Sequence, residues 1–368
     1  MEYRKSPLTP KGGIRIEPGN ILCTLFAPFG GRGLINYALS IMHYNSNSPV
    51  ALFVYNRVDN TRQTITHLIA NTLAPETDLY VFSDGGKSPE TWEAVRAVRD
   101  YLHEVKAEVE RTGALRSVTL VERAENYYLE RNIIEGISYV FEHHDRIIVL
   151  EDDICTSPYF LQFMNDAFTT YRDTPQVMHI GGFTNLRLDL HTHIQQSRQC
   201  SHDTYFTPHM AGWGWGTWRD RWQTHFLHYQ TREEALDGLT AEDIDAMQYG
   251  GVFPCLNSLD RSPIPWDVCW EIAIYRAGGL CLYPIHSLVR NIGLRQGTHF
   301  SSSPLVQRYA FDRPPYPQPV KVEKVEEPSS EQILEDVFVH EIRDWGIRYT
   351  PLGKVLRAIY RLFHLRHS

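Results

Sequence analysis

The chain alternates between short apolar runs that end in polar residues and longer stretches with apolar positions at helical spacing. Val50-Ala51-Leu52-Phe53-Val54-Tyr55 carries no charge, and Asn56-Arg57 ends it. A run of this kind reads as a strand buried on both faces. From Thr61 to Ala74 the apolar residues Ile65, Leu68, Ile69 and Leu73 follow a helical period. Leu79-Tyr80-Val81-Phe82 is a second strand, ending in Ser83-Asp84-Gly85-Gly86, and Pro89 to Val109 a second helix. Val118 to Val121, Asn132 to Glu142 and Arg146 to Leu150 continue the alternation as strand, helix and strand. Strand alternating with helix predicts an α/β fold, a mostly parallel sheet flanked by helices on both faces.

The fourth strand changes the picture. Ile147-Ile148-Val149-Leu150 runs straight into Glu151-Asp152-Asp153. Adjacent carboxylates at the end of a buried strand repel one another unless a cation joins them. Hard oxygen ligands suit Mg²⁺ or Mn²⁺, and such an ion suits a substrate carrying phosphates. Ligands of open α/β sheets also gather at the carboxyl ends of strands. Arg57, at the end of the first strand, is placed to pair with a phosphate, and Asp84, before two glycines, to accept a hydrogen bond from a base. All three features share one edge of the predicted sheet.

Downstream, Tyr159 to Tyr171 is an amphipathic helix and Val177 to Gly182 a strand. Between Tyr205 and Trp222 four tryptophans, Trp213, Trp215, Trp218 and Trp222, are interleaved with glycines. Glycine weakens regular structure while indole demands shaped space, so this stretch reads as a pliable loop, its tryptophans either offering aromatic faces to a sugar ring or a base or wedging the loop against the sheet. Arg232 to Met247 is helical and acidic. Pro263 and Pro265 suit the entry of a helix, and Asp267 falls in its first turn between Trp266 and Trp270. Partial desolvation between two indoles would raise the basicity of Asp267 and suit a general base. Leu280 to Pro284 is a strand. Ser287 to Phe300 is a loop able to close over bound phosphates, with His299 as a donor.

Four segments follow: an N-terminal extension over 1–48, the α/β domain over 49–303, a proline-rich linker over 304–330, and a helical tail over 331–368. Gly30-Gly31-Arg32-Gly33 lacks the spacing of a dinucleotide loop and reads as a turn-rich segment. His191-Thr192-His193 reads as an exposed loop. In the tail, Leu352, Val355, Leu356, Ile359, Leu362 and Phe363 share one face with Lys354, Arg357, Arg361 and Arg366 beside it. Docking on the domain and peripheral contact with a membrane surface fit that helix equally.

With 368 residues and a net charge of -8, the chain has ample length for a core and no general attraction to nucleic acid or anionic membranes. The polar N-terminal stretch and the absence of a membrane-length apolar run lead us to expect a cytoplasmic protein, peripheral at most to the inner face of a membrane. Cys23, Cys155, Cys200, Cys255, Cys269 and Cys281 form no C-x-x-C pair. They read as reduced core thiols, against a zinc site or a disulfide framework.

Taken together, Arg57, Ser83-Asp84-Gly85, Glu151-Asp152-Asp153, Gly212-Trp213-Gly214-Trp215, Trp266-Asp267 and Gly297-Thr298-His299 resemble the GT-A-fold nucleotide-sugar glycosyltransferases. The bacterial family-2-like sugar transferases and the N-acetylglucosaminyltransferase I group are the most similar. The resemblance covers about residues 49 to 300. It implies a GT-A, Rossmann-like sheet and an inverting, metal-dependent transfer of sugar from a nucleotide-sugar, UDP-linked and possible as UDP-GlcNAc, to a hydroxyl of a glycan or lipid-linked glycan in cell-surface polysaccharide synthesis. Carried over residue by residue, it makes Asp153 the ligand of Mn²⁺ or Mg²⁺, and gives Glu151 and Asp152 contacts to metal waters, ribose or sugar. It gives Asp84 the uracil, Arg57 and His299 the nucleotide and its phosphates, and Asp267 the role of base. Trp213, Trp215 and Trp266 become stacking surfaces for sugar or acceptor. Asn132 stands near the place of a nucleotide-contacting His in that pattern, and Val268 where the family has a second acid. A sugar-phosphate nucleotidyltransferase and a non-catalytic glycan-binding scaffold are the alternatives. The first expects a glycine-rich loop that Asn56-Arg57-Val58-Asp59 does not supply, and the second needs neither the triplet nor Trp266-Asp267.

Overall fold

A computed structural model describes residues 47–184, 203–248, 255–293 and 314–329. The strands β1 (Val50–Val54), β2 (Asp78–Ser83), β3 (Ser117–Glu122) and β4 (Arg146–Glu151) are joined by helices α1 (Val58–Ile69), α2 (Pro89–Thr112) and α3 (Tyr128–Phe141). Local chemistry explains the helix bounds. Ser88 and Thr91 form a capping box ahead of α2, Pro89 stands in its first turn, and Gly113 closes it at φ 69°.

β1 pairs in parallel with both β2 and β4, and β2 with β3. The chain therefore winds outward from β1 to β3 and returns to the other side of β1 for β4. The reversal falls between β1 and β4, where an open sheet leaves a crevice at its carboxyl ends. Phe53 stands opposite Glu151 in that pairing, so Arg57 and the acidic triplet leave the sheet side by side.

Beyond β4 come β5 (Ile154–Thr156), α4 (Phe160–Thr170), β6 (Val177–Gly181), β7 (Thr204–Thr207), β8 (Trp215–Trp218), α5 (Arg219–His225), α6 (Arg232–Leu236), α7 (Ala241–Gln248), α8 (Trp266–Arg276), β9 (Leu280–Pro284) and β10 (Val289–Asn291). The main sheet has eight strands in the order β3-β2-β1-β4-β8-β6-β9-β7. β8 runs antiparallel to β4 and β6, and β7 antiparallel to β9, so the sheet is mixed. β5 and β10 form a separate antiparallel pair just beyond β4.

β8 corrects the reading of the tryptophan-rich stretch. Trp215 to Trp218 enter the middle of the sheet, and Gly216 permits it. A side chain at Gly216 would come within 2.4 Å of the Ile147 carbonyl and 2.7 Å of the Phe168 ring. Alternation along the strand sends Trp218 edge-on to Phe168 of α4, at 5.0 Å between centroids, while Trp215 goes to the opposite face.

Two cores follow from the same alternation. Val50, Leu52, Ile148 and Leu150 pack toward α1, α2 and α4. Ala51, Phe53, Ile147 and Val149 pack toward α3 and α8. A smaller core around Leu256, Ile264, Val268 and Ile272 lies under the segment between α5 and α8. The described part of the proline-rich stretch, 314–329, forms neither helix nor strand and is strapped to the domain. Tyr316 donates its N–H to the Ser287 carbonyl at 2.8 Å, and Tyr171 its hydroxyl to the Glu323 carbonyl at 2.7 Å. The helical tail, the Gly30–Gly33 segment, His191 and His193 lie outside the described residues. Among the described residues no helix is long and apolar enough to cross a membrane.

Candidate functional site

β1 and β4 deliver their ends to one place, and side chains meet there. Arg57 donates from Nε to Asp152 Oδ2 at 3.2 Å and from Nη2 to Asp153 Oδ2 at 2.9 Å, with a further contact to Asp152 Oδ1. The turn beneath is held by backbone. Thr64 of α1 donates its hydroxyl to the Asp152 carbonyl at 2.8 Å, and Ile292 its N–H to the Asp153 carbonyl at 2.8 Å. Gly293 passes so close that a Cβ there would lie 2.0 Å from Asp153 Oδ2 and 2.9 Å from Arg57 Nη1. Ile292 and Gly293, just beyond β10, thus rest against the triplet, as the missing side chain of Gly293 allows. His299, expected in the same loop, lies outside the described residues.

The electrostatics of this cluster are unbalanced. Burial, then repulsion from Asp153, Asp152 and Asp267, pushes the Glu151 carboxyl up to about 8 against the pull of Arg57. Burial raises Asp152 to about 6, with Arg57 lowering it and Asp153 adding to the rise. The three adjacent carboxyl groups therefore share one guanidinium, and the charge of Asp267 adds to the repulsion at Glu151. An all-oxygen donor set with surplus negative charge fits a hard divalent cation. The fit of Asp153, Asp152 and Glu151 to Mn²⁺ or Mg²⁺ rests on that surplus.

Asp267 opens α8, and the helix sorts its residues by face. Trp266 and Trp270 turn into the core, 3 % and 0 % exposed, while Asp267 itself is exposed. The two indoles therefore do not wall it off from water, which corrects the expected desolvation between them. The dense protein around it still raises its carboxyl, and Glu130 and Glu271 add to the rise while the Val268 N–H, 2.9 Å from Oδ1, opposes it. Contact with solvent screens that rise. The result is a solvent-exposed carboxylate whose charge bears on Glu151.

Asp84, at the end of β2, is already engaged. Its carboxylate accepts the N–H groups of Gly85 at 2.9 Å and Tyr127 at 2.7 Å and the side-chain amide of Asn126 at 3.0 Å. It therefore pins the turn into α3, and any base contact must share these oxygens. Asn132, buried on α3, accepts from Arg123 Nε at 3.2 Å. Sequence reasoning missed what that turn presents. Tyr128 adopts φ 59°, strained for a residue with a side chain, stands 59 % exposed, and carries the Lys87 ammonium 4.5 Å over its ring. The Lys87 ammonium also lies 5.8 Å from the Tyr55 ring, beside the candidate site.

The expected aromatic platform is absent at Trp215 and Trp266. Trp215 is wholly buried, with the Trp266 ring 5.2 Å away at 13° and the His179 ring 5.2 Å away at 9°. With both faces covered, it is a core residue. Trp213 is partly buried with its ring edge-on to Phe183 at 4.4 Å. The His179 stack has a consequence for stability. Burial drives its imidazole down to about 3, far below its unfolded value of about 6.5, so the unfolded chain binds the proton first. Stability is full above pH 6.5 and falls by about 1.4 kcal/mol per unit as the pH drops toward 3. His179→Phe should flatten that slope in urea titrations compared at pH 7 and pH 5; an unchanged slope would show that other groups set it.

A second group of ligand types lies outside the triplet. His209, Cys255 and Glu271 can each offer one atom, all within 4.8 Å of one another, so that they could hold a metal ion. Local sequence carried no signal of it, because 45 residues lie between His209 and Cys255 and 15 between Cys255 and Glu271.

No protein-family model matches the sequence, and no functionally described protein matches it. Among solved structures, it is similar to a mannosyltransferase from Pyrobaculum calidifontis in complex with GDP-Man and Mn²⁺, at 12 % identity and a TM-score of 0.35, over 67 % of this chain and 83 % of that one. It is also similar to a UDP-glucose pyrophosphorylase complexed with UDP-glucose, at 9 % identity and a TM-score of 0.37, over 64 % of this chain and 90 % of that one. Superpositions this loose assign no activity.

Proposed function

We propose that the chain is a metal-dependent, inverting glycosyltransferase that moves a sugar from a nucleotide-sugar, a UDP-sugar first, to a hydroxyl of a glycan or lipid-linked glycan. The observation that supports this reading is the grouping of Glu151, Asp152 and Asp153 beside Arg57 where the sheet reverses its winding, with the charge of Asp267 also felt at Glu151. Asp153, with Asp152 and Glu151 beside it, would hold Mn²⁺ or Mg²⁺. Bound there, the ion acts as a Lewis acid and neutralises charge on the departing diphosphate.

The remaining work falls to the chain itself. Arg57 binds the diphosphate side of the donor, exchanging part of its pairing with Asp152 and Asp153 for phosphate oxygens. Asp84 and Asn132 shape the nucleotide end by holding the turn into α3. Asp267 takes the proton from the attacking hydroxyl. One base on the acceptor side suits a single in-line displacement with inversion at the anomeric carbon. Gly293 packs against Asp153 and Arg57, which closes one side of the triplet.

Transfer or hydrolysis of a radiolabelled nucleotide-sugar with Mn²⁺ present tests the reading. Release of labelled sugar from the donor is the expected result, and no release across UDP-, GDP-, CDP- and dTDP-sugars with an acceptor mixture would contradict it.

A further inference from the structure

We propose that His209, Cys255 and Glu271 form a second cation site, for a zinc-class ion, separate from the all-oxygen triplet. The three side chains come from three places in the fold: just after β7, ahead of the small third core, and the middle of α8. His209 and Glu271 are each 4 % exposed, and Cys255 is half-buried, which leaves a way in.

The chemistry of the set decides which ion it takes. One nitrogen, one sulfur and one oxygen donor suit a borderline-soft ion such as Zn²⁺, whereas Mg²⁺ and Mn²⁺ favour oxygen throughout. Charge balance points the same way. A thiolate and a carboxylate with a neutral imidazole offset a divalent charge, so the loaded site adds no net charge to a dry interior. Outer contacts already orient the ligands: the Met210 N–H donates to Glu271 Oε2 at 2.8 Å, and the Tyr283 hydroxyl to the His209 carbonyl at 3.0 Å. Three protein ligands leave a fourth position open.

Such an ion would act as a staple. The core over which Cys255 lies is small, and a metal joining it to α8 fastens that segment to the main body. Glu271 stands one helical turn after Asp267, so the same staple steadies the turn that carries the proposed base. Without an ion, His209 Nδ1 pairs with Glu271 Oε1 while the Cys255 thiol donates to the Met247 carbonyl at 3.4 Å. That arrangement is the rival account, a buried pair with a bystander thiol.

Cobalt titration into the metal-stripped full chain separates the two. The expected result is a near-ultraviolet thiolate charge-transfer band that saturates at about one Co²⁺ per chain and is lost on displacement by Zn²⁺ and not by Mn²⁺, apart from any Co²⁺ taken up by the triplet. Cys255→Ser should lose the band and weaken Co²⁺ binding by about 100-fold or more, while Asp153→Ala keeps both. Circular dichroism confirms that each variant is folded. A folded wild-type chain that gives no thiolate band, or a band that survives in Cys255→Ser, overturns the proposal and leaves the reading of the triplet untouched.

Discussion

Asp267→Asn is expected to lower the rate of sugar transfer by about 100- to 10,000-fold, the range that a positioned general base contributes, with donor affinity nearly unchanged. Asparagine keeps the shape and can still accept the Val268 N–H, so the entry of α8 is preserved. What it removes is basicity at an exposed position and one of the charges that repel Glu151. Metal and donor binding should therefore not weaken. Steady-state kinetics should show kcat and kcat/KM falling together, the signature of an interaction made only in the transition state. An equal loss of donor affinity by calorimetry would instead place Asp267 among the donor contacts.

Asp153→Ala is the second large effect, and it acts on binding. The Asp153 carbonyl keeps its bond from Ile292, and Arg57 keeps Asp152, so the turn should survive the substitution. The gain in donor affinity from Mn²⁺ should vanish, a change on the order of 100-fold given the several kcal/mol a metal contributes at a phosphate. A variant that retains the wild-type response to Mn²⁺ would move the metal elsewhere in the molecule.

What the sequence disclosed followed the strength of local signals. The run Ile147 to Leu150 is buried on both faces and can be little but an interior strand, so the triplet at its end was read onto the same edge of the sheet as Arg57, while its pairing beside β1 came only from the structure. The β8 strand was misread because glycine argues against regular structure, and its reason for being there is non-local: Gly216 makes room for Ile147 and Phe168, distant in sequence. β5 and β10 are three residues each, too short for any periodicity, although together they fix the turn of Asp152 and Asp153. The setting expected for Asp267 did not hold, since only the phase of α8 shows that Trp266 and Trp270 face inward while the carboxylate stays wet. His209, Cys255 and Glu271 share no motif at all, and their juxtaposition arises from the packing of α8 against the end of β7.

The central claim is that the acidic triplet binds a nucleotide-sugar together with a divalent metal. Its most direct test is the thermal stability of the chain with UDP, GDP, CDP and dTDP sugars, each with and without Mn²⁺, because a ligand that binds the native state raises its stability by mass action. The account predicts a rise in Tm with one nucleotide class, UDP-sugars first, that requires Mn²⁺ and is lost in Asp153→Ala. No rise with any donor, or a rise indifferent to both Mn²⁺ and Asp153, would contradict it.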